Sequence, residues 1–361
     1  MQKVIEKILK ETPGLKGRRI AQKAGTDHKS VNSFLHKHKA IFAQDSNYCW
    51  SLAQSVDQVL ELDSPWVTAN SFEQSLLQTG CLLSSGFNSV LVKIPGGCKI
   101  LLIAADRLLA LLNQIVPIKK DVAIDLTECA MTKSFLSRVG FFDHLDKRVN
   151  VIPKRPNVSS AKIYQGNSDT LVEFGAIDLQ QKNKELIVQL GTRFVQQSDS
   201  RYETAALTIF SELIGNVREH SKSPIPGFAA LQKYEGKRKH IQTVVSDSGL
   251  GIAKTLRPSL KKHYHSLYKL YNEKNIQSDA GLVKVTLSKG EISRFGSGRG
   301  LGFKSSREQA TKFDAEFSVR QDRFYLNFKY KNGKLVDVEQ HLGIPKIMGT
   351  HLCFDFFVDD G

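Results

Sequence analysis

The stretch Ser200–Ser221, SRYETAALTIFSELIGNVREHS, decides how the rest of the chain is read. Ala206, Ile209, Phe210, Leu213, Ile214 and Val217 recur at helical spacing, which predicts one amphipathic helix with a wide apolar stripe. Ser200 and Glu203 have the spacing of a capping box and are expected to start it. At about 100° per residue, Glu212, Asn216 and His220 stand four apart along one edge of the stripe. A carboxylate, a carboxamide and an imidazole therefore line up beside surface that will be buried. An ordinary polar border between core and solvent has the same composition, so the row acquires meaning only from the segments downstream of it.

Three such segments stand in order along the chain. Asp247-Ser248-Gly249-Leu250-Gly251 comes after the apolar run Ile241–Val245. Gly296-Ser297-Gly298-Arg299-Gly300-Leu301-Gly302 opens another helical stretch, and Gly349-Thr350 precedes a last strand, His351–Val358. A lone glycine-rich loop is weak evidence, but the ordered set is specific. It resembles the GHKL, or Bergerat-fold, ATP-binding family. Glu212-x-x-x-Asn216-x-x-x-His220 resembles its N box. Asp247-x-Gly249-x-Gly251 and Gly298-x-Gly300-Leu301-Gly302 resemble its glycine boxes, and Gly349-Thr350 its last motif. The resemblance runs over roughly Asp178–Gly361 and implies a two-layer α/β sandwich that binds ATP and Mg²⁺.

The resemblance also implies roles, and each residue type suits its own. Glu212 would take a proton from an attacking water. The Asn216 carboxamide oxygen is a hard ligand suited to Mg²⁺, which also binds phosphate oxygens. Asp247 would accept a hydrogen bond from the adenine amino group, and Thr350 would add a hydroxyl nearby. Gly249 and Gly251 permit close backbone approach. Gly298, Gly300 and Gly302, with Leu301 between them, would present N–H groups to phosphates at a helix N-terminus. Arg299 and Lys304 are phosphate partners in this reading. His220 is either a phosphate contact or a helix-end histidine. The insertion Ile252–Phe295 corresponds to the family's ATP lid.

The rest of the chain is read more coarsely. Residues 1–54 predict three helices and a hairpin, resembling a winged helix-turn-helix domain, and residues 1–53 carry ten Lys/Arg against four Asp/Glu. The resemblance puts the third helix in a DNA major groove, with Lys29, Asn32, Ser33 and His36 as base-edge candidates. A protein-binding winged helix is the alternative. Ala53–Asn70 is expected to be a linker or connecting helix. Residues 71–177 alternate strand and helix patterns, with Lys99–Ala104 among the strands and Asp106–Gln114 among the helices. The run Val122–Leu126 and the helix near Ser134 loosely resemble a STAS domain, a partner-binding module phosphorylated in some members near the position of Thr127, Thr132 and Ser134. The fold class expected is α+β: winged helix, STAS-like α/β middle, Bergerat-type C-terminal domain over 178–361.

Composition bounds these readings. With 361 residues, two or three domains are expected, and 41% hydrophobic with 24% charged residues is ordinary for a globular chain. A net charge of +15 favours a polyanionic partner. No apolar run approaches the ~20 residues of a membrane helix, so no membrane partner is expected. The N-terminus, MQKVIEKILKE, is charged and helical, unlike a secretory leader. Five scattered cysteines lack metal-ligand spacing and read as reduced thiols in a cytoplasmic protein.

Within the resembled family, Glu219 stands where histidine kinases usually carry Lys or Arg, and Asn-x-x-Glu-His is closer to anti-sigma-type members. No phosphoacceptor-histidine segment precedes the motif, and no gyrase-like or MutL-like sequence comes after it. The expected function is a DNA-associated, slowly hydrolysing ATP switch whose lid alters partner binding or builds an ATP-dependent homodimer. A serine/threonine kinase acting on a partner, or a non-hydrolysing nucleotide sensor, are the alternatives.

Overall fold

The computed structural model describes residues 1–38, 41–45, 47–52, 57–119, 121–236, 238–289 and 314–358. It is an α+β structure, and the chain parts between Asp57 and Gln58 into two units.

In the first unit α1 (Gln2–Glu11), β1 (Leu15–Lys16), α2 (Gly17–Ala24), α3 (His28–Lys37), β2 (Phe42–Gln44) and β3 (Cys49–Leu52) succeed one another. The strands form an antiparallel sheet in the order β1-β3-β2. Asp27 caps α3, its carboxylate accepting from the Lys29 and Ser30 N–H groups at 2.7 and 3.2 Å. Helical spacing puts Ile5 and Leu9, Ile20, then Val31 and Leu35 on the inner faces, where they close over Phe42 and Trp50 of the sheet.

The second unit begins inside the expected linker. Gln58–Glu61 (β4) and Trp66–Val67 (β5) are strands, because Leu60, Leu62 and Val67 each bury an apolar side chain that a connecting segment would leave in water. Then come α4 (Ala69–Thr79), β6 (Ser89–Lys93), β7 (Lys99–Ile100), α5 (Leu102–Ile115), β8 (Asp121–Asp125), α6 (Ala130–Arg138), α7 (Phe141–His144), β9 (Asn150–Ile152) and α8 (Ser160–Tyr164). A parallel sheet runs β4-β6-β8-β9, and β5 pairs with β7. The strand expected over Lys99–Ala104 stops at Ile100, and α5 starts at Leu102, extending over the helix expected at Asp106–Gln114. Every residue of α5 is buried. Its first turn, Leu102–Ala105, is apolar throughout, so that turn has no period to distinguish it from a strand.

The remaining elements are β10 (Leu171–Ile177), α9 (Lys184–Gln197), α10 (Glu203–His220), β11 (Gly227–Tyr234), β12 (His240–Asp247), α11 (Ile252–His263), α12 (His265–Tyr271), α13 (Ile276–Lys289), β13 (Ala315–Lys331) and β14 (Lys334–Phe357). An antiparallel sheet orders the strands β10-β11-β12-β14-β13. Its first strand, β10, lies before the boundary expected at residue 178. The capping box expected at Ser200 and Glu203 is not formed: Ser200–Tyr202 is a turn of 3₁₀ helix, and no side chain caps α10 at Tyr202. Glu203 is then the first residue of the helix, not the third. Strand β13 doubles back at Asp322 (φ 45°), which brings Phe317 within 5.8 Å of Phe328. Its first part pairs with Thr350–Phe356 and its second with Lys334–Leu342.

Both faces of this antiparallel sheet are covered. Ala229, Leu231, Val245 and Phe354 face a core shared with α9, α10, α11 and α13. Phe228, Ala230, Val244 and Cys353 face the other way, into the core of α5 and the parallel sheet. The middle α/β region is therefore a layer against the C-terminal sheet, an addition to the two layers expected there. Glu73 of α4 also joins the layers, bonding Arg107 at 3.0 Å and Arg320 of β13 at 3.2 Å, all three buried.

Candidate functional site

Helix α10 carries the first part of the site. Ala205, Ala206, Ile209, Phe210, Leu213, Ile214 and Val217 are buried beneath it. Glu212, Asn216 and His220 are half-buried along the edge of that stripe, as their spacing predicts. Among the described residues the buried Asn216 amide nitrogen has no hydrogen-bond partner. A buried donor left unpaired costs about 1–3 kcal/mol, so this carboxamide is set up for an acceptor that the described residues do not supply. A 180° flip would offer the oxygen at the same place.

The helix ends against the first glycine loop. The Leu250 N–H donates to the Ser221 carbonyl at 3.2 Å. At Gly249 an added methyl carbon would lie 2.0 Å from that same oxygen, so only glycine permits the contact. Asp247, the last residue of β12, accepts from the Gly249 N–H at 2.6 Å. Burial pushes its carboxyl above the ordinary aspartate range; the Gly249 bond and the nearby His351 act in the opposite sense but do not cancel it. The carboxyl is thus held at a buried position where a donor from a ligand would stabilise its ionised form.

Strand β14 closes the site. Thr350 pairs with Asp247 at the last rung of the β12–β14 ladder. Just before it, Gly349 has φ 89°, and a methyl carbon there would fall 1.8 Å from the Asp247 carbonyl oxygen. The Thr350 hydroxyl lies 3.1 Å from Gln321 Nε2, while Gln321 Oε1 accepts from the Ala253 N–H at 3.3 Å. Gln321 ties the start of α11, just after Gly251, to Thr350. Its partners are far away in sequence, and nothing in the local pattern marks it.

Glu212, Asn216, His220, Asp247, Gly249, Gly251 and Thr350 therefore lie on elements that meet where α10 ends, β12 ends and β14 crosses. Gly298, Arg299, Gly300, Leu301, Gly302 and Lys304 lie outside the described residues. Among the described residues no cluster of three or more His, Cys, Asp or Glu could hold a metal ion.

The first unit presents a separate feature. A cleft of 670 Å³ is lined by Lys16, Arg18, Arg19, Asn32, His36 and Gln44, among others. Of the four expected base-edge residues, Asn32 and His36 reach this cleft, while Lys29 and Ser33 are exposed and do not line it. Asn32 bonds His28 at 3.1 Å, and His36 meets the Trp50 ring edge-on at 4.9 Å. The basic residues from α2 and its approach were not singled out from the sequence, because only the folded unit brings them beside α3.

No protein-family model matches the chain, and no curated protein matches it either. Among the described residues no helix is long and apolar enough to cross a membrane.

Proposed function

We propose that the second unit binds ATP with Mg²⁺ in the manner of the GHKL family, and that the chain is a nucleotide-governed regulatory protein. The observation carrying this reading is the meeting of the polar edge of α10, the Asp247–Gly251 loop and Gly349–Thr350, with the Asn216 amide unpaired among the described residues. Sequence order and three-dimensional juxtaposition support the same assignment. The antiparallel sheet with α9 and α10 on one face fits a Bergerat-type sandwich, and the β1-β3-β2 sheet with its three helices fits a winged helix. The parallel-sheet layer is the STAS-like part and a surface for a protein partner.

In this reading Asp247 accepts the adenine amino hydrogen while Thr350 presents its hydroxyl beside it. Asn216 holds the cation, and Glu212 receives the proton of the attacking water. Bound ATP supplies the phosphoanhydride, and Mg²⁺ offsets its charge. DNA is held through the first unit, where Lys16, Arg18 and Arg19 contact phosphates and Asn32 and His36 reach base edges. Closure of the nucleotide lid is the step expected to change partner binding or to pair two copies.

Calorimetry with ATP and Mg²⁺ tests the reading directly. Purified protein should bind in the micromolar to millimolar range, and Glu212→Ala should keep that affinity while phosphate release falls by about 10²-fold or more. Undiminished turnover in that variant would remove Glu212 from its role. Labelled γ-phosphate distinguishes the kinase alternative, in which label appears on serine or threonine of this chain or a partner.

A further inference from the structure

Helix α5 belongs to the middle layer, yet its polar side chains reach toward the proposed adenine pocket. Gln114, one residue before the end of α5, is 1% exposed. Its Nε2 donates to the Ser248 hydroxyl at 2.9 Å and to the Met348 carbonyl at 3.0 Å. Its Oε1 accepts from the Met348 N–H at 2.8 Å. One carboxamide thus satisfies both main-chain groups of Met348 and also holds Ser248.

The positions of those two partners matter. Ser248 stands between Asp247 and Gly249, and Met348 directly precedes Gly349 and Thr350. Asp247 and Thr350 form the last rung of the β12–β14 ladder, so beyond it no strand holds these segments to each other. Gln114 takes the place of the missing strand. The close approach of Gly349 to the Asp247 carbonyl depends on both segments being held in register.

The helix that carries Gln114 is itself fixed to the sheet. No side chain of its own caps its N-terminus. The Leu102 N–H donates instead to the Tyr234 hydroxyl at 2.8 Å, and the Ile103 N–H to Gln242 Oε1 at 2.8 Å. These are among the donors that every helix start leaves unpaired. In its second turn the helix is held again, the Ser246 hydroxyl donating to Asp106 at 2.6 Å. With α5 attached through its first two turns and at its end, any displacement of the middle layer is felt at Ser248 and Met348.

We propose that Gln114 is a positioning residue for base recognition, setting the Asp247 carboxylate and the Thr350 hydroxyl through Ser248 and Met348. The middle layer thereby governs the affinity of the site and its preference for adenine over other bases. This rests on the nucleotide reading of the second unit. Glu212 and Asn216 lie on α10, outside this linkage, so hydrolysis of bound nucleotide does not require Gln114.

Calorimetry with ATP and with GTP, each with Mg²⁺, on full-length parent, Gln114→Leu, Gln114→Glu and Tyr234→Phe tests it. Circular dichroism and thermal melting check the fold of each. Gln114→Leu removes all three bonds and should bind ATP at least about tenfold more weakly, the consequence of losing net hydrogen-bond support. Its preference for ATP over GTP should shrink and its KM rise while kcat stays near the parent value. Gln114→Glu keeps the acceptor for the Met348 N–H but loses both donors and sets a buried carboxylate against the Met348 carbonyl, so it should weaken ATP binding and base preference at least as much as Gln114→Leu; it carries the test by the same readouts if Gln114→Leu does not fold. Tyr234→Phe removes the cap at the far end of the same helix and should lower the melting temperature and shift base preference in the same direction as Gln114→Leu, but by less. A parent that binds neither nucleotide overturns the ATP reading and this inference together. A parent that prefers ATP, with Gln114 variants of unchanged affinity and unchanged preference, overturns the inference and leaves the ATP reading standing.

Discussion

Asp247 is the residue on which the proposed base recognition turns, and its environment makes a pH prediction. Burial raises its carboxyl above the ordinary aspartate value, which lies near ~3.9. The ionised form is therefore penalised in the folded protein. That penalty is absent well below the ordinary value and complete above the raised one, so Asp247 lowers folding stability as pH climbs through this window. A ligand that donates a hydrogen bond to the carboxylate favours the ionised form and draws the group back down. Adenine-nucleotide affinity should accordingly weaken on acidification, beginning at a higher pH than an exposed aspartate would give. Calorimetric titrations between about pH 4 and 7 check this, with proton release on binding as a second signal. Asp247→Asn should bind more weakly throughout and show a smaller pH dependence than the parent, keeping only what the nucleotide's own ionisation contributes. A parent affinity that stays flat across the range would remove Asp247 from contact with the ligand. Both the carboxylate and its place after an apolar run were visible in the sequence. Its buried environment was not, because that comes from Thr350 and His351 about a hundred residues later.

Among the elements, the crossing of β12 and β14 is the tightest point of the proposed site. Gly349 combines a left-handed φ with an approach that leaves no room for a side chain. Gly349→Ala should cost about 3 kcal/mol or more of stability, since steric overlap and φ strain add, and urea unfolding measures it. A loss under about 0.5 kcal/mol, typical of an unimportant surface change, would show that the crossing is looser than described. The glycine pattern was legible because glycine is informative wherever backbones touch. Gln114 and Gln321 were not legible. Glutamine is common on helix and strand surfaces, and its significance here lies only in partners 134 and 29 residues away. The strands β4 and β5 were missed for a related reason. Each is short, and only the neighbouring β6 and β7 give them a ladder to join.

The chain parts into a basic N-terminal unit and a larger second unit, and the proposed division of DNA and nucleotide binding between them is testable. DNA affinity should fall steeply with salt, with a log–log slope of about −0.9 per phosphate contacted, and truncation of Met1–Asp57 should abolish it. The truncated chain should keep the ATP affinity of the parent, because all the proposed nucleotide residues belong to the unit beginning at Gln58. Gel-shift titrations across a salt series, paired with calorimetry, separate the two properties. Undiminished DNA affinity after truncation would assign the polyanion site elsewhere on a chain of net charge +15. Replacing Arg18 and Arg19 with alanine should lower both affinity and salt slope without altering ATP binding.

Local order in the chain was enough to specify the amphipathic helix α10, its polar edge, the Asp247–Gly251 loop and the α+β class. These features come from side-chain period and from backbone freedom, both properties of neighbouring residues. Which segments touch was decided only by tertiary packing. Helix α5 was legible over Asp106–Gln114 but not in its wholly apolar first turn, and the clamp of Gln114 on Ser248 and Met348 joins residues that no short-range rule connects. Long-range hydrogen bonds form where the buried cores bring segments together, and the pattern of any one segment carries no record of its partner.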